Sequence, residues 1–111
     1  MAELLILKGA DINAKGNRDL TPLHAAVFNG QKDVIELLIL KGANINAKAK
    51  NSLTPLHVAA NKGYKDVAEL LILKGADIKA KTNNGLTPLQ TAIKEGKKGV
   101  AEVLRKHGAR R

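Results

Sequence analysis

Cysteine is absent from the chain. That excludes disulfides, thiolate metal sites and a cysteine nucleophile, and it fits an intracellular, cytoplasmic protein. Aromatic residues are nearly absent as well, with one Phe, one Tyr and no Trp. Apolar burial must therefore come from Leu, Ile, Val and Ala. No stretch reaches the ~18 apolar residues of a membrane span. No basic segment followed by a longer apolar run marks a signal peptide. Ser52 is the one serine, and no nucleophile motif surrounds it. The glycines stand singly, so no phosphate-cradling loop is formed. These gaps argue against an enzyme, and no cofactor or metal is implied. Acidic residues are scarce relative to basic ones, 10 against 19, for a formal net charge of +9. Such a balance attracts acidic proteins, nucleic acid or anionic membranes.

What the chain has in abundance is repetition. Leu20-Thr21-Pro22-Leu23-His24-Ala25-Ala26 returns as Leu53-Thr54-Pro55-Leu56-His57-Val58-Ala59 and again as Leu86-Thr87-Pro88-Leu89-Gln90-Thr91-Ala92. The step is 33 residues both times. A fixed period of that length indicates a stacked array of small supersecondary units, each burying its apolar face against its neighbours. The 111 residues fit one domain, 1–111. It divides into a partial N-terminal repeat at 1–15, full repeats at 16–48 and 49–81, and a C-terminal capping repeat at 82–111. Residues 2–15 match residues 68–81 at all but one position, so the first segment is the back half of a repeat.

Within 16–48, Thr21 suits a helix N-cap, because its hydroxyl can accept from an orphan N–H. Pro22 follows at the first helical position, where a missing N–H costs nothing. A short helix is expected from Pro22 to about Asn29, closed by Gly30 at positive φ. A second helix is expected from about Asp33 to Lys41, with charges suited to its dipole, ending at Gly42. Ala43 to Lys48 is expected to lead out in extended form. The second repeat follows suit with Gly63, Asp66, Lys74 and Gly75. In the third, Arg105 replaces Ile39 and Ile72, and Lys106 replaces Leu40 and Leu73. Such a polar face suits a cap.

The Thr-Pro-Leu-His block, its period and the Gly-Ala-Asp-Ile-Asn-Ala-Lys exit make the chain resemble the ankyrin-repeat family along essentially its whole length. The resemblance implies an all-α repeat solenoid of stacked helix-turn-helix units with short β-hairpin fingers. It implies a protein-binding module and not an enzyme, whose fingers and first helices line a concave groove. The family usually carries Gly two residues before the Thr, but Asp19 and Ser52 stand there in the first two copies and Gly85 in the third. The first two turns are therefore expected to be more strained. Where the family opens its finger with Asp, this chain has Gly16, Ala49 and Thr82.

The resemblance assigns His24 and His57 a structural role, bonding the capping Thr and backbone of the adjoining unit. Equivalent atoms in stacked helices lie roughly 8–10 Å apart, too far to share a metal at ~2 Å. Gln90 replaces the third His, where no further unit follows to be bonded. His107 sits at a helix C-terminus, where a cation suits the dipole.

The resemblance implies partner contacts at positions where the repeats differ and at the finger edges. In the first repeat these positions are Lys15, Asn17, Arg18, Leu20, Phe28 and Asn29. In the second they are Lys48, Lys50, Asn51, Leu53, Asn61 and Lys62. In the third they are Lys81, Asn83, Asn84, Leu86, Lys94 and Glu95. Phe28 is the best single anchor, because large aromatics dominate hot spots. The expected partner is a protein, and an acidic one suits the charge. Nucleic acid is disfavoured, since stacking aromatics are missing. A second reading is an engineered or excised scaffold with no natural partner, suggested by repeats identical at 21 of 33 positions and by the abrupt start. Homo-oligomers are conceivable through the open N-terminal face around Leu4, Leu5 and Ile6. Another route is a convex ridge of Leu7, Leu40 and Leu73, unless those leucines pack together under lysine stems.

Overall fold

The structure, a computed structural model, describes residues 12–109. Six α-helices come in three antiparallel pairs among these residues: α1 (Pro22–Phe28) with α2 (Lys32–Leu40), α3 (Pro55–Lys62) with α4 (Lys65–Leu73), and α5 (Pro88–Lys94) with α6 (Lys98–Lys106). The first helix of each pair begins at the repeated block. Thr21, Thr54 and Thr87 are its N-caps, and each completes a capping box with the residue three positions on. Pro occupies the first helical turn in all three. Gly30, Gly63 and Gly96 then take positive φ and turn the chain into the second helix. The second helices start one residue earlier than the sequence suggests, at Lys32 rather than Asp33.

The pairs stack in order, α1 on α3 and α3 on α5, with α4 against α6. The body is 41 Å long and 25 by 19 Å in section. Leu23, Leu56 and Leu89 from the first helices are buried, and so are Leu38, Leu71 and Leu104 from the second. Each such side chain contributes about 1.5–3 kcal/mol on burial. The 33-residue step thus lays one continuous apolar core through all three pairs, and no aromatic side chain is among its fully buried members.

Two expectations are corrected. The lead-out segments are not extended throughout. The backbone of Ala47 donates to the Asn44 carbonyl (3.2 Å), closing a turn. The cause is local: the Asn44 side chain accepts from the backbone of Asn46 at 3.0 Å, and Asp77 does the same for Lys79 at 2.9 Å, an Asx turn that competes with extended backbone. The segments before each first helix also form no β-strand among the described residues, only tight turns and an isolated antiparallel bridge between Ala49 and Leu53. They are too short for a ladder. Gly16 donates to Leu20 O at 2.8 Å, and Thr82 to Leu86 O at 2.9 Å, in the same pattern.

Leu40 and Leu73 are 79% and 68% exposed, so neither packs under lysine stems. Leu4 to Leu7 lie outside the described residues, as does the N-terminal face they would form. No helix among the described residues is long and apolar enough to cross a membrane.

Candidate functional site

Each histidine of the repeated block bonds its own unit through Nδ1 and the next unit through Nε2. His24 Nε2 lies 2.8 Å from the Leu53 carbonyl of the next unit, and His57 Nε2 lies 2.9 Å from that of Leu86. A carbonyl can only accept, so Nε2 carries the proton and Nδ1 is the acceptor. Nδ1 of His24 accepts from the Thr21 hydroxyl (2.8 Å) and from the Thr21 backbone N–H (3.2 Å). His57 and Thr54 repeat this at 2.8 and 3.3 Å. Both nitrogens of each ring are thereby engaged, which leaves no lone pair for a metal ion or a substrate proton. Burial pushes both imidazoles below their ordinary pKa, offset in part by the carbonyl bonds. The positive charge of Lys15 lowers His24 further.

The turns that precede the first helices are held by their own backbone. Arg18 and Asp19 both take positive φ, and so do Asn51 and Ser52, whereas the third turn has only Gly85 there. Two successive left-handed residues reverse the chain in the primed turn sense, and the strain expected at Asp19 and Ser52 is seen in their φ of 60° and 61°. Neighbouring turns are tied together. Asn83 N–H donates to Asn51 O at 3.0 Å, and Ser52 Oγ donates to Asn83 Oδ1 at 2.8 Å. Lys15 Nζ donates to Lys48 O at 3.2 Å.

Between these turns and the first helices lies a groove of about 350 Å³. Asn51 and Leu53 come to it from the second turn, Asn84 and Leu86 from the third, and Phe28, Asn61, Lys94 and Glu95 from the helix ends. These eight are among the expected contact residues. His57, Val58, Thr82 and Thr91 also line it, and the sequence reading missed them because they belong to the repeated framework or sit on its buried side. Phe28 is 52% exposed. The Lys62 ammonium sits 4.1 Å from its ring centroid, a cation–π pair, and Tyr64 Oη donates to its carbonyl at 3.4 Å.

The remaining expected contacts lie outside that lining. Lys15, Asn17, Arg18, Lys48, Lys50, Lys81 and Asn83 are exposed on or beside the turns, Asn29 caps α1, and Leu20 is half-buried. The structure therefore gathers eight of the eighteen expected residues, Phe28 and seven from the later units, into one concavity and leaves the first turn apart from it.

Residues 1–82 and 49–110 match the family model for ankyrin repeats in three copies. The chain belongs to the ankyrin-repeat family. Comparison with curated proteins returns no match. Ankyrin repeats are generally protein–protein interaction modules and not enzymes. In this ankyrin-repeat chain the Thr-Pro-Leu-His block is the coupling between units, and the groove is built from the residues around it.

Proposed function

We propose that this ankyrin-repeat chain binds a partner protein in the groove of turns and first helices, with Phe28 as the apolar anchor. In this reading the chain is one domain with units at 16–48, 49–81 and 82–111, and the turns at Asn17–Asp19, Lys50–Ser52 and 82–86 act as the family's fingers. The observation that carries it is the composition of the groove. Leu53 and Leu86 recur as Leu20, and His57 recurs as His24, so these are its constant part. Beside them stand positions that differ from unit to unit: Phe28, Asn61 and Lys94 are equivalents, Asn51 and Asn84 stand where the first unit has Arg18, and Val58 and Thr91 stand where it has Ala25. A constant part beside a varied one separates stability from specificity.

The walls also suit a polypeptide of acidic character. Asn51, Asn61 and Asn84 each offer an amide that both donates and accepts, which matches a peptide backbone. Lys62 and Lys94 stand at the rim with a net charge of +9 behind them. The framework is rigid, so little binding energy is spent on ordering it.

Affinity capture followed by mass spectrometry tests this, with a Phe28→Ala/Asn61→Ala chain run beside the wild type. Both side chains are exposed, so melting should change little, within about 0.5 kcal/mol per site. The partner should be lost from the variant. Equal recovery on both baits would overturn the groove reading.

A further inference from the structure

Two asparagines stand directly before a glycine, Asn29 before Gly30 and Asn84 before Gly85. That pairing carries a chemistry of its own. The backbone nitrogen of the glycine can attack the asparagine Cγ, because no Cβ on the glycine crowds the approach. A bond forms between glycine N and asparagine Cγ. The bond from Cγ to Nδ2 breaks, and Nδ2 leaves as ammonia with the proton of the glycine N–H. Water then opens the cyclic imide at either carbonyl, which leaves aspartate or isoaspartate. Water is the only co-reactant.

The fold treats the two pairs differently. Asn29 caps α1. The N–H groups of Asn29, Gly30 and Gln31 donate to the carbonyls of Ala25, Val27 and Ala26 in turn. The Tyr64 ring of the next unit lies on Gly30, where a Cβ would come within 3.3 Å of Tyr64 Cε2. Tyr64 Oη also donates to the Phe28 carbonyl. The Asn29–Gly30 peptide is therefore fixed between two units.

Asn84 and Gly85 are exposed in the third turn. Beyond its chain neighbours, nothing lies within 4 Å of the place a Gly85 Cβ would take. The Asn84 amide has no hydrogen-bond partner among the described residues, whereas that of Asn83 accepts from Ser52 Oγ. The attacking nitrogen is guarded by a bond from Gly85 N–H to Thr82 O at 2.8 Å. That bond lies in an exposed turn, where opening is local and costs less than unfolding. Asp19 and Ser52 hold the place of Gly85 in the earlier units, and each has a Cβ. The glycine that relieves the strained turn is thus the residue that opens Asn84 to its own backbone.

We infer that Asn84 is a self-modification site, converted without an enzyme to aspartate and isoaspartate, while Asn29 is protected. The product places a carboxylate in the groove that Lys94 and Glu95 also line, where the amide was neutral. Isoaspartate also adds a methylene to the main chain of the turn. The consequence for binding rests on the groove reading above: the new charge opposes an acidic partner, so affinity declines as conversion proceeds.

The site is tested by incubating the folded chain in mildly alkaline buffer. Peptide mapping by mass spectrometry and enzymatic methylation of isoaspartate read the products. Asn84 should convert at least tenfold faster than Asn29 in the folded chain, and the two should convert alike in urea. Gly85→Ser, which copies Ser52 of the second unit, should slow conversion at Asn84 several-fold, with circular dichroism confirming the fold. Equal rates at Asn29 and Asn84 in the folded chain, both fast or both slow, would overturn the proposal. The consequence is read by titrating Asn84→Asp with the protein captured on the unmodified chain. Binding should weaken several-fold, and an unchanged Kd would overturn the link to affinity. If Phe28→Ala/Asn61→Ala also leaves that Kd unchanged, the groove reading fails and the modification site stands on its own chemistry.

Discussion

At the scale of single residues, the histidines decide how the molecule answers to acid. His24 and His57 are neutral acceptors at Nδ1, facing a backbone N–H that has no other role. Protonation would turn each Nδ1 into a donor aimed at a donor. Their folded pKa values lie below the unfolded value of about 6.5, because burial disfavours the charged form. The unfolded chain then binds more protons over the interval between the two values, so stability rises with pH across it. The contribution is full above about pH 6.5 and is lost as pH falls through the folded pKa values. Urea unfolding between pH 7.5 and 5 should show this loss, and a His24→Gln/His57→Gln chain should show a shallower one. A wild-type and a variant with identical pH slopes would refute it. Gln90 shows what such a substitution keeps and loses. Its Oε1 still accepts from Thr87 N–H at 3.0 Å, which preserves the cap. At position 57 that residue would not replace the bond to Leu86 O, at a cost of about 1–2 kcal/mol.

At the scale of elements, the turns and lead-outs carry couplings that no helix supplies. Asn46 is the busiest of these residues. Its Oδ1 accepts from Asp77 N–H at 2.7 Å, and its Nδ2 donates to Gly75 O at 3.3 Å. Asn13 likewise accepts from Asn44 N–H at 2.7 Å. Asn46→Ala should therefore cost about 1–3 kcal/mol. Asn46→Asp, which keeps the acceptor, should cost less, and thermal melts of the two would rank them. Equal melting temperatures would mean that water replaces the ladder. The turns make an opposite prediction. Asp19 sits at φ 60° with no Cβ-free residue to relieve it, and left-handed backbone costs an L-residue about 1–2 kcal/mol. Asp19→Gly should raise stability by up to about 1 kcal/mol after its own entropy is counted, or roughly 4–8 °C for a domain of this size. A lower melting temperature would assign Asp19 a bond that outweighs the strain. Helix starts were legible because Thr and Pro act locally, within one turn. The turn strain was legible from the missing glycine. The asparagine ladder was not, because its partners are 29 and 31 residues apart and its donors are backbone groups common to every residue. Eight of the twelve groove residues were foreseen, from their variation or their place at a turn edge; His57, Val58, Thr82 and Thr91 were missed because they are buried and only folding brings them to the groove.

At the scale of the whole molecule, stability is close to a sum of units and of the interfaces between them, and the net charge acts on that sum from outside. The chain carries +9 on a body 41 Å long. The salt bridge among the described residues joins Glu69 to Lys106 Nζ at 3.8 Å, and His107 Nε2 lies 3.7 Å from the same carboxylate. Ten acidic residues against 19 basic ones leave the compact state under self-repulsion. The Debye length falls from about 30 Å at 0.01 M to about 10 Å at 0.1 M ionic strength, from nearly the span of the molecule to a fraction of it. Adding salt over that range should raise the melting temperature, by an amount on the order of 1 kcal/mol in stability. In the proposed reading the same field steers an acidic partner towards the groove, so association rates should fall over the same titration. The two measurements must move in opposite directions if one excess of positive charge governs both. A melting temperature that fell with salt would mean that local ion pairs outweigh the net repulsion. An association rate that held constant would mean that the cations around the proposed groove contact the partner without attracting it from a distance.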